Sequence, residues 1–527
     1  MKNQLSSSVS VRMGAKVFYM VTRLFLPPLI LSYVTLEEYG IWAACFILIS
    51  YLGMSAFGVS NIYIRYTAEY QAKGEIEKIN QLISTGIVAI SGISLVALGA
   101  LYFLLPWFVN KFHISQPLHR TAFILIFGTA LSFMLDLTLG SFAYVLHGLQ
   151  RITQQTFTWI VGFCVEAVLI VVLLYTGAGI YALLIAFMVR NVISGAACLA
   201  LCYRALPSLS IRLKYFDRAS LRLFFGYGLI VQVSGLLATF LYSIEKVLAG
   251  VFLGVAATGL LDIGQKLPVM ASQIPSGMNE VFLPAMSRMH GLDQKEELHK
   301  LFLKGSRYLN MLTGLVMGFF AAFAAPLMMV WLGARQGYGQ AATILAIFTL
   351  PYQMNVLTGP GSALHRGVNK PARELVYPLS QMALVALTVS IGFWWQGRTL
   401  IVIAVAVSLA MVLSVIVYMA YTNKVLGISQ RQFAWRVLAP GLVPYFVGFG
   451  MFFATRSFLA DLNRISLLIA LGVIGCVYSL FSMALIYRGL CDWGEREFMR
   501  HQFKQTLGGF LKRKPGADID TLEVKPA

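Results

Sequence analysis

An all-α, polytopic membrane protein of about fourteen transmembrane helices is the fold class this sequence predicts, arranged as two six-helix lobes plus a C-terminal helix pair. Three observations point there. Of 527 residues, 58% are hydrophobic and 12% charged, with a mean hydropathy of +0.74, whereas soluble domains carry about 25% charged residues. Fourteen apolar stretches approach the ~20 residues needed to cross a 30 Å hydrocarbon core. Lysine and arginine then concentrate in every second loop.

The elements follow in order. The first span, 13–34, contains Arg23, Pro27 and Pro28 and lacks the small-residue cleavage pattern of a signal peptide, so it reads as a retained helix. Spans at 41–64, 82–108, 121–146, 154–176 and 180–203 complete a first unit, residues 1–203. A basic cytoplasmic linker, 204–222, holds five Lys/Arg. The second unit, 223–422, comprises spans 223–252, 256–284, 308–332, 341–364, 374–395 and 399–422. Spans 434–455 and 465–487 form the extra pair within 423–488. In the tail, 489–527, Trp493, Phe498, Phe503, Leu507 and Phe510 alternate with basic residues and precede Lys512, Arg513 and Lys514. That pattern predicts a helix on the cytoplasmic leaflet, with polar chain beyond Pro515.

The charge distribution tests this topology independently. Of 41 Lys/Arg, 31 fall in alternate loops and termini, six in the opposite loops (Lys111, Arg120, Arg335, Arg398, Arg456, Arg464) and four within spans. The positive-inside rule places the rich set and both termini in the cytoplasm. It also accounts for the net charge of +19 without nucleic acid.

The two units read as parallel repeats about the membrane normal. Sliding the chain by 219 residues aligns 37–88 with 256–307 without gaps, matching Gly40 with Gly259, Gly58 with Gly277 and Gly86 with Gly305. A cavity between two such lobes is the expected substrate site.

Nine ionisable side chains lie inside spans: Arg23, Asp136, Glu166, Arg190, Glu245, Lys246, Asp262, Lys266 and Glu280. A charge at the bilayer centre costs roughly 2.5–3.5 kcal/mol on insertion scales, so such groups face a protein interior or a watery cavity. Arg23, Asp136, Glu166 and Arg190 sit 11–13 residues from the cytoplasmic ends of their spans. At 1.5 Å per residue that is one layer roughly 17–20 Å deep. Lys246, Asp262, Lys266 and Glu245 lie toward the outer side of the second unit, with Glu280 nearer the cytoplasm. Internal pairing is expected for Glu166 with Arg190 and for Asp262 with Lys266, the latter at i,i+4. Adjacent Glu245 and Lys246 point in different directions, so one of them lines the cavity. Arg23 has no acid in its own helix and becomes the leading anion ligand. Arg190, Lys246 and Lys266 are the further cationic candidates. Asp136, Glu166, Glu245 and Asp262 are candidates for coupling to a proton or cation.

Prolines at 27 and 28, at 268, 275 and 284, and at 351 and 360 interrupt spans one, eight and ten, and read as gating bends. The six cysteines show no CxxC spacing and the seven histidines are scattered, so neither a metal nor a disulfide framework is expected. No GxxxxGK[ST] or GxSxG constellation is present. The chain is expected to be neither an ATPase nor an enzyme, and to need no cofactor.

The stretch 245–305 carries Glu245-Lys246, Leu253-Gly254, Gly259, and the turn Phe282-Leu283-Pro284-Ala285-Met286-Ser287-Arg288. It resembles oligosaccharide flippases, the polysaccharide-transport branch of the multidrug/oligosaccharidyl-lipid/polysaccharide (MOP) exporter superfamily. Leu36-Glu37-Glu38-Tyr39-Gly40-Ile41-Trp42 is similar to that family's opening repeat, and Gly367 before Asn369-Lys370 to a later Gly-rich bend. The family's acidic position is usually Asp where this chain has Glu245. The resemblance implies a two-lobed, V-shaped, MATE-like transporter in the bacterial inner membrane. Such a protein flips undecaprenyl-diphosphate-linked oligosaccharide by alternating access, for O-antigen, capsule or exopolysaccharide synthesis. Cationic cavity residues would hold the diphosphate, and membrane potential or ion antiport would drive the cycle. Membrane lipids, a polysaccharide polymerase and other assembly proteins are the implied partners. The rival readings are a multidrug or cation antiporter of the same superfamily and a non-transporting scaffold.

Overall fold

A computed structural model describes residues 14, 18–53, 59–226, 237, 240, 241, 243–333 and 338–489. The tail helix expected after residue 489 lies outside them. The first half comprises α1 (Phe18–Ile30), α2 (Leu36–Leu52), α3 (Val59–Ala72), α4 (Ile76–Lys111), α5 (His119–Leu139), α6 (Ser141–Gly148), α7 (Ile152–Tyr175) and α8 (Tyr181–Ala205). After α9 (Arg218–Gly226) come α10 (Ile244–Leu253), α11 (Val255–Gly291), α12 (Lys295–Ala322), α13 (Ala324–Leu332), α14 (Tyr338–Val356), α15 (Thr358–Gly367), α16 (Val376–Gln396) and α17 (Leu400–Leu426). The chain closes with α18 (Ala439–Ala460) and α19 (Arg464–Gly489).

The chain is a polytopic membrane protein. Among the described residues, nine helical runs are long and apolar enough to cross a membrane, ten if the bent pair α12–α13 counts as one span. Each of the fourteen expected spans contains a described helix. Outward faces are apolar, as lipid contact demands: Phe103 is 81% exposed and Phe446 78%.

Several spans are broken. α12 and α13 meet at 77°, and α14 gives way to α15 at Leu357. α11, by contrast, runs as one 37-residue helix through Pro268, Pro275 and Pro284. Each proline removes a single donor, and the flanking turns and packed neighbours α2, α14 and α15 hold the helix together.

α1 shows how a proline-freed carbonyl is satisfied. Pro28 cannot donate to the carbonyl of Leu24 four residues earlier. The indole Nε1 of Trp331 on α13 donates to that oxygen at 2.6 Å, which ties α1 to the second half of the chain. Trp331→Phe keeps the ring and loses this donor. It is expected to destabilise the protein by about 1 kcal/mol, read as a lower thermal midpoint in detergent; an unchanged midpoint would refute the role.

The 219-residue offset recurs in the helix starts. Leu36 and Val255, Ile76 and Lys295, and Tyr181 and Leu400 are each separated by it. Left-handed backbone recurs at the same interval, at Gly74 and Asp293 and at Gln150 and Asn369. Contacts repeat too. Gly86 on α4 lies under the Tyr63 ring, and Gly305 on α12 under Phe282, the residue 219 beyond Tyr63.

The halves meet where α2 packs against α11. A Cβ on Gly40 would run into the Val255 carbonyl, and one on Gly259 would come within 3.2 Å of the Leu36 carbonyl and 3.1 Å of the Gly40 Cα. Each contact is the other's copy with the repeats exchanged, so the pseudo-twofold axis passes between these two glycines. Bare backbone on both sides permits this approach. α2 is positioned by a capping box: Glu38 N donates to Thr35 Oγ1 at 3.2 Å and Thr35 N to Glu38 Oε2 at 2.8 Å. Glu37 accepts from Ser115 N at 2.8 Å, pinning the next extramembrane loop.

Candidate functional site

Two ionic clusters occupy the spans, each with two cations sharing one carboxylate. In the first, α7 presents Glu166, which is 2% exposed. Arg190 Nη1 on α8 donates to its Oε2 at 3.0 Å. Arg23 Nη2 on α1 reaches both carboxylate oxygens, at 3.2 and 3.3 Å. Asn191 orients Arg190, accepting from its Nε and Nη2 at 3.1 and 2.8 Å and donating to Ser132 Oγ at 3.0 Å. Aromatic faces complete the cradle. The Arg190 guanidinium lies 4.7 Å from the Phe163 centroid and 4.6 Å from that of Phe187. Arg23 lies 5.3 Å from Tyr19 and 5.6 Å from Phe163.

The expected Glu166–Arg190 pair therefore forms, with Arg23 as a third member. Arg23 has no acid in its own helix, as expected, and takes its carboxylate from α7, sharing Glu166 with Arg190. Its partner sits on another helix in the same depth layer, and depth alone does not fix which way the two helices face. Asp136 on α5 makes no ion pair among the described residues. It lies within electrostatic reach of Arg190 and folds against Gly140, where a Cβ would meet its carboxylate.

The second cluster spans α10, α11 and α2. Lys246 Nζ donates to Asp262 Oδ1 at 2.8 Å and Lys266 Nζ to Oδ2 at 2.9 Å. Tyr39 Oη, from the first half, donates to the same Oδ2 at 2.9 Å and lies 3.4 Å from Lys266 Nζ. Sequence reasoning missed Tyr39 because it sits beside Gly40 on a helix whose charges all lie at its mouth. Its proximity follows from the Gly40–Gly259 approach. Glu245 is buried at 2% exposure and makes no ion pair among the described residues, whereas Lys246 turns toward Asp262. The side chain of Glu280 lies outside the described set.

Each group of contacting charges holds two cations and one carboxylate, a formal +1. The first is offset at longer range by Asp136 and the second by Glu245, within electrostatic reach of Lys246. None of the six charged side chains is more than 26% exposed. A carboxylate shared between two cations is only partly available to each. An anion entering beside it therefore meets donors already oriented and largely dehydrated.

The repeated helical architecture, with ionic clusters inside its spans, defines a polytopic membrane protein with paired intramembrane charges. The chain belongs to the polysaccharide biosynthesis protein family, whose pattern matches residues 33–336. It is 21% identical over 509 residues to a protein of Bacillus subtilis (strain 168) described as the uncharacterized membrane protein EpsK, covering 95% of this chain and 98% of that one. Its fold is similar to that of the lipid II flippase MurJ in an inward closed conformation, with a TM-score of 0.67 at 15% identity over 91% of this chain and 99% of that one. An inward-facing multidrug resistance MATE transporter of the MOP superfamily gives 0.63 at 13% identity, over 77% and 98%.

Proposed function

We propose that this protein flips undecaprenyl-diphosphate-linked oligosaccharide across the bacterial cytoplasmic membrane by alternating access, for surface polysaccharide synthesis. Two six-helix lobes, 1–203 and 223–422, rock about the Gly40–Gly259 contact. The linker 204–222 joins them, the helix pair within 423–488 is additional to them, and both termini, with the basic tail 489–527, are cytoplasmic as the Lys/Arg bias dictates. Arg23, Arg190, Lys246 and Lys266 hold the diphosphate and sugar. Asp136, Glu166, Glu245 and Asp262 respond to the coupling ion or potential. Membrane lipids and a polysaccharide polymerase are its partners, and no covalent chemistry is required.

The observation that carries this reading is the pair of carboxylate-sharing cation pairs, an arrangement suited to a multivalent anion. It supports a lipid diphosphate over the cationic drug of a multidrug antiporter, which would meet like charge. The family and the likeness to a lipid II flippase support the same choice.

A deletion strain tests it. Complete lipid-linked oligosaccharide should accumulate on the cytoplasmic face and surface glycan should fall. Unchanged glycan with altered drug sensitivity would favour the antiporter. Complementation with Arg23→Ala sharpens the assignment. Glu166 and Arg190 still form a neutral pair, so the variant should fold, yet one charge-assisted contact of about 1.5–3 kcal/mol is lost. Export should drop roughly tenfold to hundredfold at unchanged protein level. Wild-type export would remove Arg23 from the substrate site.

A further inference from the structure

The repeat also relates the first ionic cluster to a place in the second half, and the chemistry there is inverted. A groove of about 320 Å³ lies between α10 and α16. Among its lining residues are Val385 and Met382, the positions 219 beyond Glu166 and Phe163. Ile244 and Leu248, also lining it, correspond to Phe25 and Leu29 of α1. Arg190 corresponds to Leu409 on α17. The site that holds two guanidinium groups and a carboxylate in one half is an apolar trough in the other.

We infer that this groove binds the polyprenyl chain of the lipid-linked substrate, so that a place that is ionic in the first repeat takes hydrocarbon in the second. The inference rests on the flippase reading above.

Three features favour this occupant. The groove runs along α10 from Ile244 to Phe252, about 12 Å at 1.5 Å per residue, most of one leaflet's hydrocarbon depth of about 15 Å. At its outer end Arg398 lies 5.0 Å from the Phe252 centroid and 6.0 Å from that of Phe393, and both rings line the groove. Among the described residues Arg398 makes no ion pair, and the neighbouring Trp394 and Trp395 are 89% and 78% exposed, as interfacial aromatics are. A lipid phosphate at Arg398 would thus lead its chain into the trough. Lastly, α10 also carries Lys246, which turns to Asp262 in the ionic cluster, so one helix touches both parts of such a substrate. A volume of about 320 Å³ is at the small end of ligand pockets and suits part of a single chain better than the paired chains of a phospholipid.

The test uses the full-length protein in nanodiscs with a polyprenyl diphosphate probe bearing a diazirine near the diphosphate end of its chain, followed by peptide mapping. Cross-links should fall on α10 and α16, and a tenfold excess of unlabelled polyprenyl diphosphate should remove them while the same excess of phosphatidylglycerol leaves them. Ala386→Trp, at an exposed lining position, should reduce groove labelling at least tenfold and lower export, with the elution profile of the folded protein retained; Ser390→Trp serves as a second block. Cross-links confined elsewhere, or equal competition by phosphatidylglycerol, would overturn the inference, as would wild-type export by both variants. Failure of the wild type to bind or flip any polyprenyl lipid would instead overturn the flippase reading.

Discussion

A Glu166→Ala protein is expected to lose most of its folded population in the membrane, a larger effect than removal of either arginine. Glu166 is the only carboxylate in contact with Arg23 and Arg190 among the described residues, and all three side chains are largely buried. Deleting it leaves two guanidinium groups facing each other across a low-dielectric layer. Breaking a buried ion pair by removing one partner costs about 3–5 kcal/mol, and here two partners are stranded. Glu166→Gln should be intermediate, keeping acceptor capacity for one arginine while losing the charge. The measurement is protein abundance and thermal midpoint after detergent extraction, with Glu166→Ala combined with Arg23→Ala as the discriminating case. Restoring charge balance in that double variant should recover part of the stability but not the export. If Glu166→Ala alone matches wild type in abundance and midpoint, the cluster is not structural and Glu166 is free to act in coupling alone.

That contrast shows what sequence could and could not reveal. The apolar spans were legible from their length because a hydrocarbon solvent permits few solutions for the backbone. The 219-residue register was legible at Gly40 and Gly259, which keep their identity because both lie at the close approach of α2 and α11. It was legible also at Gly86 and Gly305; at other places the register survives in backbone features, such as the left-handed residues Gln150 and Asn369, where identity has drifted. The Asp262–Lys266 pair could be read from spacing on one helix. The contacts of Arg23 with Glu166 and of Tyr39 with Asp262 could not, because they depend on how helices distant in sequence rotate toward each other. The prolines of α11 show a related limit: local chemistry predicts three lost donors, whereas the flanking turns and neighbouring helices keep the helical run continuous.

The asymmetry between the halves has a physical rationale. A strictly twofold carrier would offer two equal sites to a substrate that is polar at one end and hydrocarbon at the other. Here the backbone repeat persists while side chains at matching positions diverge, Glu166 against Val385 and Arg190 against Leu409. Conversely, Asp262 and Lys266 face Ala43 and Ile47 in the first repeat. The fold supplies a symmetric hinge, and the side chains make its two walls different.

The hinge yields the second large expected effect. Gly40→Leu should abolish export while leaving membrane insertion intact. At Gly40 the first obstacle to a Cβ is the backbone carbonyl of Val255, which cannot rotate aside as a side chain can. Overpacking of this kind costs about 1–3 kcal/mol for a small addition, and a leucine must also displace α11 from α2. Separation there would carry Asp262 away from Tyr39, breaking a hydrogen bond between the halves. α2 and α11 would still insert, since each satisfies its own backbone. Gly259→Leu, its partner across the axis, should behave alike. Gly99→Ala on α4, where an added Cβ meets nothing within 4 Å, provides the tolerated control. Export assayed beside surface abundance distinguishes a jammed hinge from a lost protein. Wild-type export by Gly40→Leu would mean that the lobes do not move about this contact, and the pseudo-twofold axis would then be a feature of folding rather than of transport.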